Sequence, residues 1–193
     1  MITKEKTKEL TDRAYRIACE HGFHDEDKSA EHFLMLVLSE IGEMVEADRK
    51  RRYADKKKFM MEYEKCSSTL DEDVRFNMYF EEYIKDSTSD ELADVVIRLF
   101  DFCGTIGYYP AVVGSYDLFM DAHGKKTLCE QCFYMSVAVT RILNRGVVIP
   151  DNISVVLSFC FAFAEFHNID LLWHIEKKMD YNASRVKLHG KKY

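Results

Sequence analysis

Two pairs of carboxylates at helical spacing, Glu40 with Glu43 and Glu91 with Asp94, are the residues of this chain best suited to chemistry. Positions three apart on a helix share a face. Around the first pair, Phe33, Leu34, Val37, Leu38, Ile41, Met44 and Val45 form an apolar arc, and Glu40 and Glu43 stand beside it while Glu46 points to the far side. Around the second pair, Leu92, Val95, Val96, Leu99, Phe102 and Cys103 form the arc, and Ala93, Ile97 and Phe100 extend it around most of the circumference. The charges left over, Glu91, Asp94, Arg98 and Asp101, fall in one strip. A helix this apolar is largely buried, so its acidic strip must face a cleft, a cation or a basic partner. Two readings stand. In one, the four acids are solvated edges of two amphipathic helices, as good helix-forming Glu residues often are. In the other, the strips face each other, and the converging negative charge requires compensation. Mg²⁺ is the natural compensating ion, being hard, oxygen-seeking and content with one or two carboxylates plus water and phosphate.

The elements that would position these acids are helices throughout. Helical patterning covers about residues 3–21, ended by Gly22, and begins again near Ser29, where the second helix reads as continuing through the basic stretch Arg49–Lys58 towards Tyr63. An acidic, aromatic segment follows at about 71–85. The next helix has a start signal in Ser87-Thr88-Ser89 with Asp90 and Glu91, and a stop at Gly104. Residues 108–126, with Pro110, Gly114 and Gly124, read as turn chemistry. Helices of about 127–143, 151–166 and 170–185 complete the chain. Val147-Val148-Ile149 is strand-like but too short to build a sheet. The expected fold class is all-α, a helical bundle in a single domain over residues 1–193.

Composition narrows the function. A net charge of −6 argues against non-specific nucleic-acid binding, though not against a phosphate-bearing substrate held through metal. No apolar run reaches membrane-spanning length and the N-terminus lacks a signal-peptide core, so no membrane partner is expected and the expected compartment is the cytoplasm. The cysteines Cys19, Cys66, Cys103, Cys129, Cys132 and Cys160 read as reduced thiols there. Cys129-x-x-Cys132 has no second pair and reads as helical packing rather than a zinc site, and His21-x-x-His24 reads as a surface turn. The run Arg49-Lys50-Arg51-Arg52 with Lys56-Lys57-Lys58 reads as a solvated face, and Phe33 and Trp173 as core. A P-loop, G-x-S-x-G and G-x-G-x-x-G are all absent.

The segment Leu38-Ser39-Glu40-Ile41-Gly42-Glu43-Met44-Val45-Glu46-Ala47 resembles the E-E-x-x-E segment of MazG-like, all-α nucleoside triphosphate pyrophosphohydrolases, a superfamily that also includes dimeric dUTPases. Asp90-Glu91-Leu92-Ala93-Asp94-Val95-Val96-Ile97-Arg98-Leu99 is similar to that family's E-x-x-D helix. Lys178, Asn182 and Arg185, followed by His189-Gly190-Lys191, are similar to its K-x-x-x-N-x-x-R and H-G-K ending. The resemblance implies that Glu40, Glu43, Glu91 and Asp94 bind Mg²⁺, with Mn²⁺ able to substitute, and that Lys178, Asn182 and Arg185 contact the substrate's phosphates or sugar. It further implies hydrolysis of a nucleoside triphosphate to monophosphate and pyrophosphate, with Glu40 or Glu43 as general base and a homodimer or internal pseudo-dimer as the assembly. From spacing alone, Lys178, Asn182 and Arg185 equally suit a basic helix end that offsets the macrodipole.

The chain departs from the family pattern. Ser39 replaces the first Glu of the pair, and residues 108–168 read as an insertion before the final motif. Part of it, about 127–166, reads as a degenerate second repeat: Phe133, Met135 and Val137 echo Phe33, Met35 and Val37, and Ile153, Val156, Leu157, Phe161 and Phe163 echo Leu92, Val95, Val96, Phe100 and Phe102. In that alignment Thr140, Leu143, Asn152 and Val155 replace the four acids. Two rivals remain. A di-iron carboxylate bundle needs E-x-x-H pairs, which the sequence lacks. A catalytically inactive nucleotide-binding or regulatory helical module is the other.

Overall fold

The computed structural model describes residues 2–65, 71–111 and 116–190, without the side chains of 116–118 and 189. Most helices begin where a short polar side chain can cap them. Thr3 caps α1 (Lys4–Glu20), Ser29 caps α2 (Ala30–Arg49) by accepting from the His32 N–H, and Ser87 caps α5 (Thr88–Thr105) by accepting from the Asp90 N–H. Thr127 and Glu130 form a reciprocal capping box on α7 (Leu128–Thr140), Pro150 occupies the first turn of α8 (Pro150–Phe166), and Asp170 caps α9 (Leu171–Ala183). Between α2 and α5 lie α3 (Lys56–Lys65) and α4 (Glu72–Tyr83), and a short 3-10 turn, Lys187–Gly190, follows α9. Among the described residues, no single helix is long and apolar enough to cross a membrane.

Three local expectations are corrected. The second helix does not continue towards Tyr63. It stops at Arg49, because no apolar residue between Asp48 and Arg52 rewards another turn, and Arg51 enters the left-handed region at φ 56°. A short helix, α6 (Tyr116–His123), stands inside the stretch read as turns. The run at Val147 forms a minimal strand after all: β2 (Val147–Val148) pairs antiparallel with β1 (Leu143–Asn144) across Arg145 and Gly146. Those two residues have φ of 51° and 80°, the positive pair that a two-residue hairpin turn demands.

Helix α5 is the axis of the molecule. It packs against α1, α2, α8 and α9, and twelve of its residues are buried. Helix α2 lies beside it and runs antiparallel. Phe33, at the start of α2, stacks on Phe102 near the end of α5 at 5.3 Å, while mid-helix Glu40 reaches Arg98. The α7–α8 hairpin closes the core, with α7 against α2 and α8 against α5. A second, smaller cluster of Phe59, Phe76, Phe80, Ile84 and Tyr181 fastens α3 and α4 to α9. Trp173 packs edge-on against Phe59 there, and Phe33 lies in the main core.

The echoes between the two halves differ in what they preserve. Ile153, Val156, Leu157 and Phe163 are buried, as are Leu92, Val95, Val96 and Phe102, but Phe161 is half-buried where Phe100 is buried. The other series fails: Phe133 is exposed where Phe33 is buried, and Met135 is buried where Met35 is exposed. The buried stripe of α7 runs instead through Gln131, Cys132, Met135 and Val139. The thiols of Cys103 and Cys132 are pushed up to about 12 by burial, as suits core residues rather than metal ligands. Cys66 lies outside the described residues.

Candidate metal centre

The antiparallel register of α2 and α5 sets Glu40 opposite Glu91 and Asp94. One carboxylate oxygen from each of the three lies within 4.8 Å of the others. Glu40 and Glu91 are buried at 3% and 4% exposure, and Asp94 is half-buried. Three oxygen donors at this separation form a set that can hold a hard divalent cation. Glu43, the fourth acid expected here, is exposed and outside the triad. It is still near enough to join Asp94 in raising the Glu40 pKa.

Two cations brace these acids. The Arg98 guanidinium donates through Nε to Glu40 Oε1. Lys178, expected to contact substrate, is instead buried against α5, with Nζ 2.6 Å from Asp90 Oδ2 and 2.8 Å from Asp94 Oδ2. Asp90 is fully buried. Its Oδ2 also accepts from the Asp86 N–H at 3.0 Å, while its Oδ1 has no hydrogen-bond partner among the described residues. From the sequence Asp90 is expected only as a first-turn acid at a helix start; its position four residues before Asp94, on the same face, is the signal that puts it in the cluster.

The electrostatics leave a deficit. Glu40, Asp90, Glu91 and Asp94 face Arg98 and Lys178, four carboxylates against two cations. Burial, followed by the neighbouring charge of Asp94, pushes Glu91 up to about 9. Burial likewise pushes Asp90 up to about 6, against the pull of Lys178, and raises Glu40 against the pull of Arg98. For Lys178 burial works against the charge, and Asp94 and Asp90 more than restore it, so its pKa is raised. With Glu91 protonated the cluster carries one excess negative charge, and with all four acids ionised it carries two, the charge of one divalent ion.

The cluster opens onto a pocket of about 280 Å³ between α1, α2, α5, α9 and the chain end. Glu40, Asp94 and Arg98 stand in its wall, with Asn182 and Arg185 across from them. Lys178, Asn182 and Arg185, expected to share one role, therefore divide: two reach the pocket and Lys178 braces the acids behind it. Arg185 also lies 5.6 Å over the Tyr181 ring. No protein-family model, curated protein or solved structure matches this chain.

Two more features border the pocket. His24, expected in a surface turn, is mostly buried and pairs with Asp101 at 2.7 Å. The chain end is tied over the pocket, with Lys187 on Asp25 at 2.5 Å and the Leu188 N–H donating to the His21 carbonyl at 2.9 Å. Lys191, of the H-G-K ending, lies outside the described residues. The basic run is mostly solvated, as expected, and takes no part in the pocket wall.

Proposed function

We propose that this chain hydrolyses a nucleoside triphosphate between its α and β phosphates, releasing a monophosphate and pyrophosphate. The observation that carries the reading is the convergence of Glu40, Glu91 and Asp94, with oxygens within 4.8 Å of one another, beside a pocket of about 280 Å³. Glu40, Glu91 and Asp94 would hold Mg²⁺, or Mn²⁺ in its place, and Glu91 would give up its proton on binding. Bound there, the ion supplies charge neutralisation and polarisation of the phosphates.

The remaining work falls to the chain itself. Arg98 fixes the orientation of Glu40, and Lys178 fixes Asp94 through the shared contact with Asp90. Glu40, in the pocket wall, or Glu43, exposed beside the triad, would take a proton from the attacking water. Asn182 and Arg185, on the pocket wall, would contact phosphate or sugar, with the Arg185 fork suited to phosphate oxygens. The α7–α8 hairpin packs against α2 and α5, which supports an internal pseudo-dimer over a homodimer as the assembly. The free thiols suit a reducing compartment, the cytoplasm.

The test is pyrophosphate release with Mg²⁺ across a panel of nucleoside triphosphates. Release is expected from the wild type and is abolished in Glu91→Gln and Asp94→Asn, with the fold retained by circular dichroism. Full activity in either variant would refute these ligands. One observation favours a second reading. Ser39 carries no carboxylate and donates its hydroxyl to the Leu36 carbonyl at 2.7 Å, so a regulatory module that binds nucleotide without turnover is the alternative. Saturable nucleotide binding without pyrophosphate release would select it.

A further inference from the structure

One half-buried acid in the pocket wall, Asp101, has no part in the scheme above. Asp101 lies seven residues beyond Asp94 in the same strip of α5, which at 1.5 Å per residue places it about 10 Å along the helix. That is roughly the reach from the phosphates of a nucleotide to the far edge of its base. The same wall carries apolar side chains: Leu36 of α2 and Ile97 of α5, both half-buried, line it together with Phe33, Ile17 and Met179. A flat ring can lie against such a wall. Lys28 and Lys187, at the pocket rim, are already paired with Glu26 and Asp25. Phosphates therefore have less call on that end than on the metal end.

Asp101 is held in one orientation. Its Oδ1 lies 2.7 Å from His24 Nε2, and each side chain of the pair is 15% exposed. The His24 ring is itself fixed between Tyr15 at 4.9 Å and Phe33 at 5.7 Å. Burial raises the Asp101 pKa on balance, and the contacts with His24 and Arg98 offset only part of that rise. In its pair with His24, Asp101 acts as the carboxylate, the form that accepts from His24 Nε2–H. An ionised carboxylate only accepts hydrogen bonds, so it welcomes an amino group on a base and repels a carbonyl.

We infer that Asp101, positioned by His24, reads the base edge and selects nucleotides carrying an exocyclic amino group, cytosine or adenine, over the keto bases uracil and hypoxanthine. The inference rests on the nucleotide reading of the pocket. Cytosine and uracil are near-isosteric, as are adenine and hypoxanthine, so volume contributes little and the polar contact decides. A hydrogen bond to a charged group, lost and replaced by repulsion, is worth about 10- to 150-fold.

The experiment compares kcat/KM for CTP against UTP and for ATP against ITP with Mg²⁺, together with calorimetric binding of CMP and UMP. The amino member of each pair should lead by about 10- to 150-fold, and CMP should bind more tightly than UMP. In Asp101→Asn, whose amide can also donate, the CTP-to-UTP ratio should fall towards one while Mg²⁺ affinity is unchanged. His24→Gln should lower the same ratio less. Equal use of both members, or a preference for UTP, in the wild type overturns the inference and leaves the hydrolase reading standing. Failure to bind or hydrolyse any nucleotide overturns both.

Discussion

The α2–α5 pair and the α7–α8 pair stand side by side in one core and treat charge in opposite ways. Both bury an apolar stripe, with Leu92, Val95, Val96 and Phe102 on one side and Ile153, Val156, Leu157 and Phe163 on the other. The first pair also buries Glu40, Asp90 and Glu91, and half-buries Asp94. The second has Thr140, Leu143, Asn152 and Val155 at the positions aligned with the expected acids, and Val155 is 59% exposed. Apolar packing alone therefore suffices to build a helix pair here. Buried carboxylates cost several kcal/mol each in desolvation, a cost that the α7–α8 pair avoids and the α2–α5 pair meets with Arg98 and Lys178.

That contrast can be broken in several ways. The largest effect is expected from Lys178→Met, which leaves Asp90 and Asp94 without their partner and should cost about 3–5 kcal/mol in urea denaturation. A loss below about 1 kcal/mol would mean that the lysine is dispensable to the acids. Leu157→Ala, in the acid-free pair, should cost about 2–5 kcal/mol by opening a cavity. Pyrophosphate release per folded molecule should not change. A parallel fall in specific activity would show that the two pairs are not separable.

A pH series comes next. Glu91 titrates near 4.5 when unfolded and at about 9 when folded. Between those values the folded chain holds a proton that the unfolded chain has released, so metal-free stability should fall as pH rises from about 5 to about 9. Glu91→Gln should flatten that slope, and saturating Mg²⁺ should reduce it in the wild type. Urea midpoints at three pH values would check this. The smallest effect is expected from Phe133→Ser. At 64% exposure Phe133 has little burial to lose, and stability should move by no more than about 0.5 kcal/mol. A larger loss that depends on protein concentration would mean that a second copy covers α7.

Much of this was legible from local pattern. The caps at Ser29, Ser87 and Thr127 and the apolar arcs around Glu40 and Glu91 are short-range features, and the helices follow them closely. The pairing of Glu40 with Glu91 and Asp94 was legible because both strips flank arcs that must face a common core. Three features were not. The end of α2 turns on a positive φ at Arg51 with no glycine to announce it. Lys178 and Asp90 lie far apart in the chain, and nothing local says that a lysine on α9 will be drawn under α5. His24 follows a glycine turn, and its role depends on Asp101, whose position was visible but whose partner was not.

The central claim is that a divalent ion supplies the charge missing from the cluster, and a Mg²⁺ titration by calorimetry, repeated with Mn²⁺, tests it most directly. The account predicts saturable binding by the wild type that releases protons near neutral pH and is lost in Asp94→Asn. Absence of saturable binding, or the same affinity in Asp94→Asn, would contradict it.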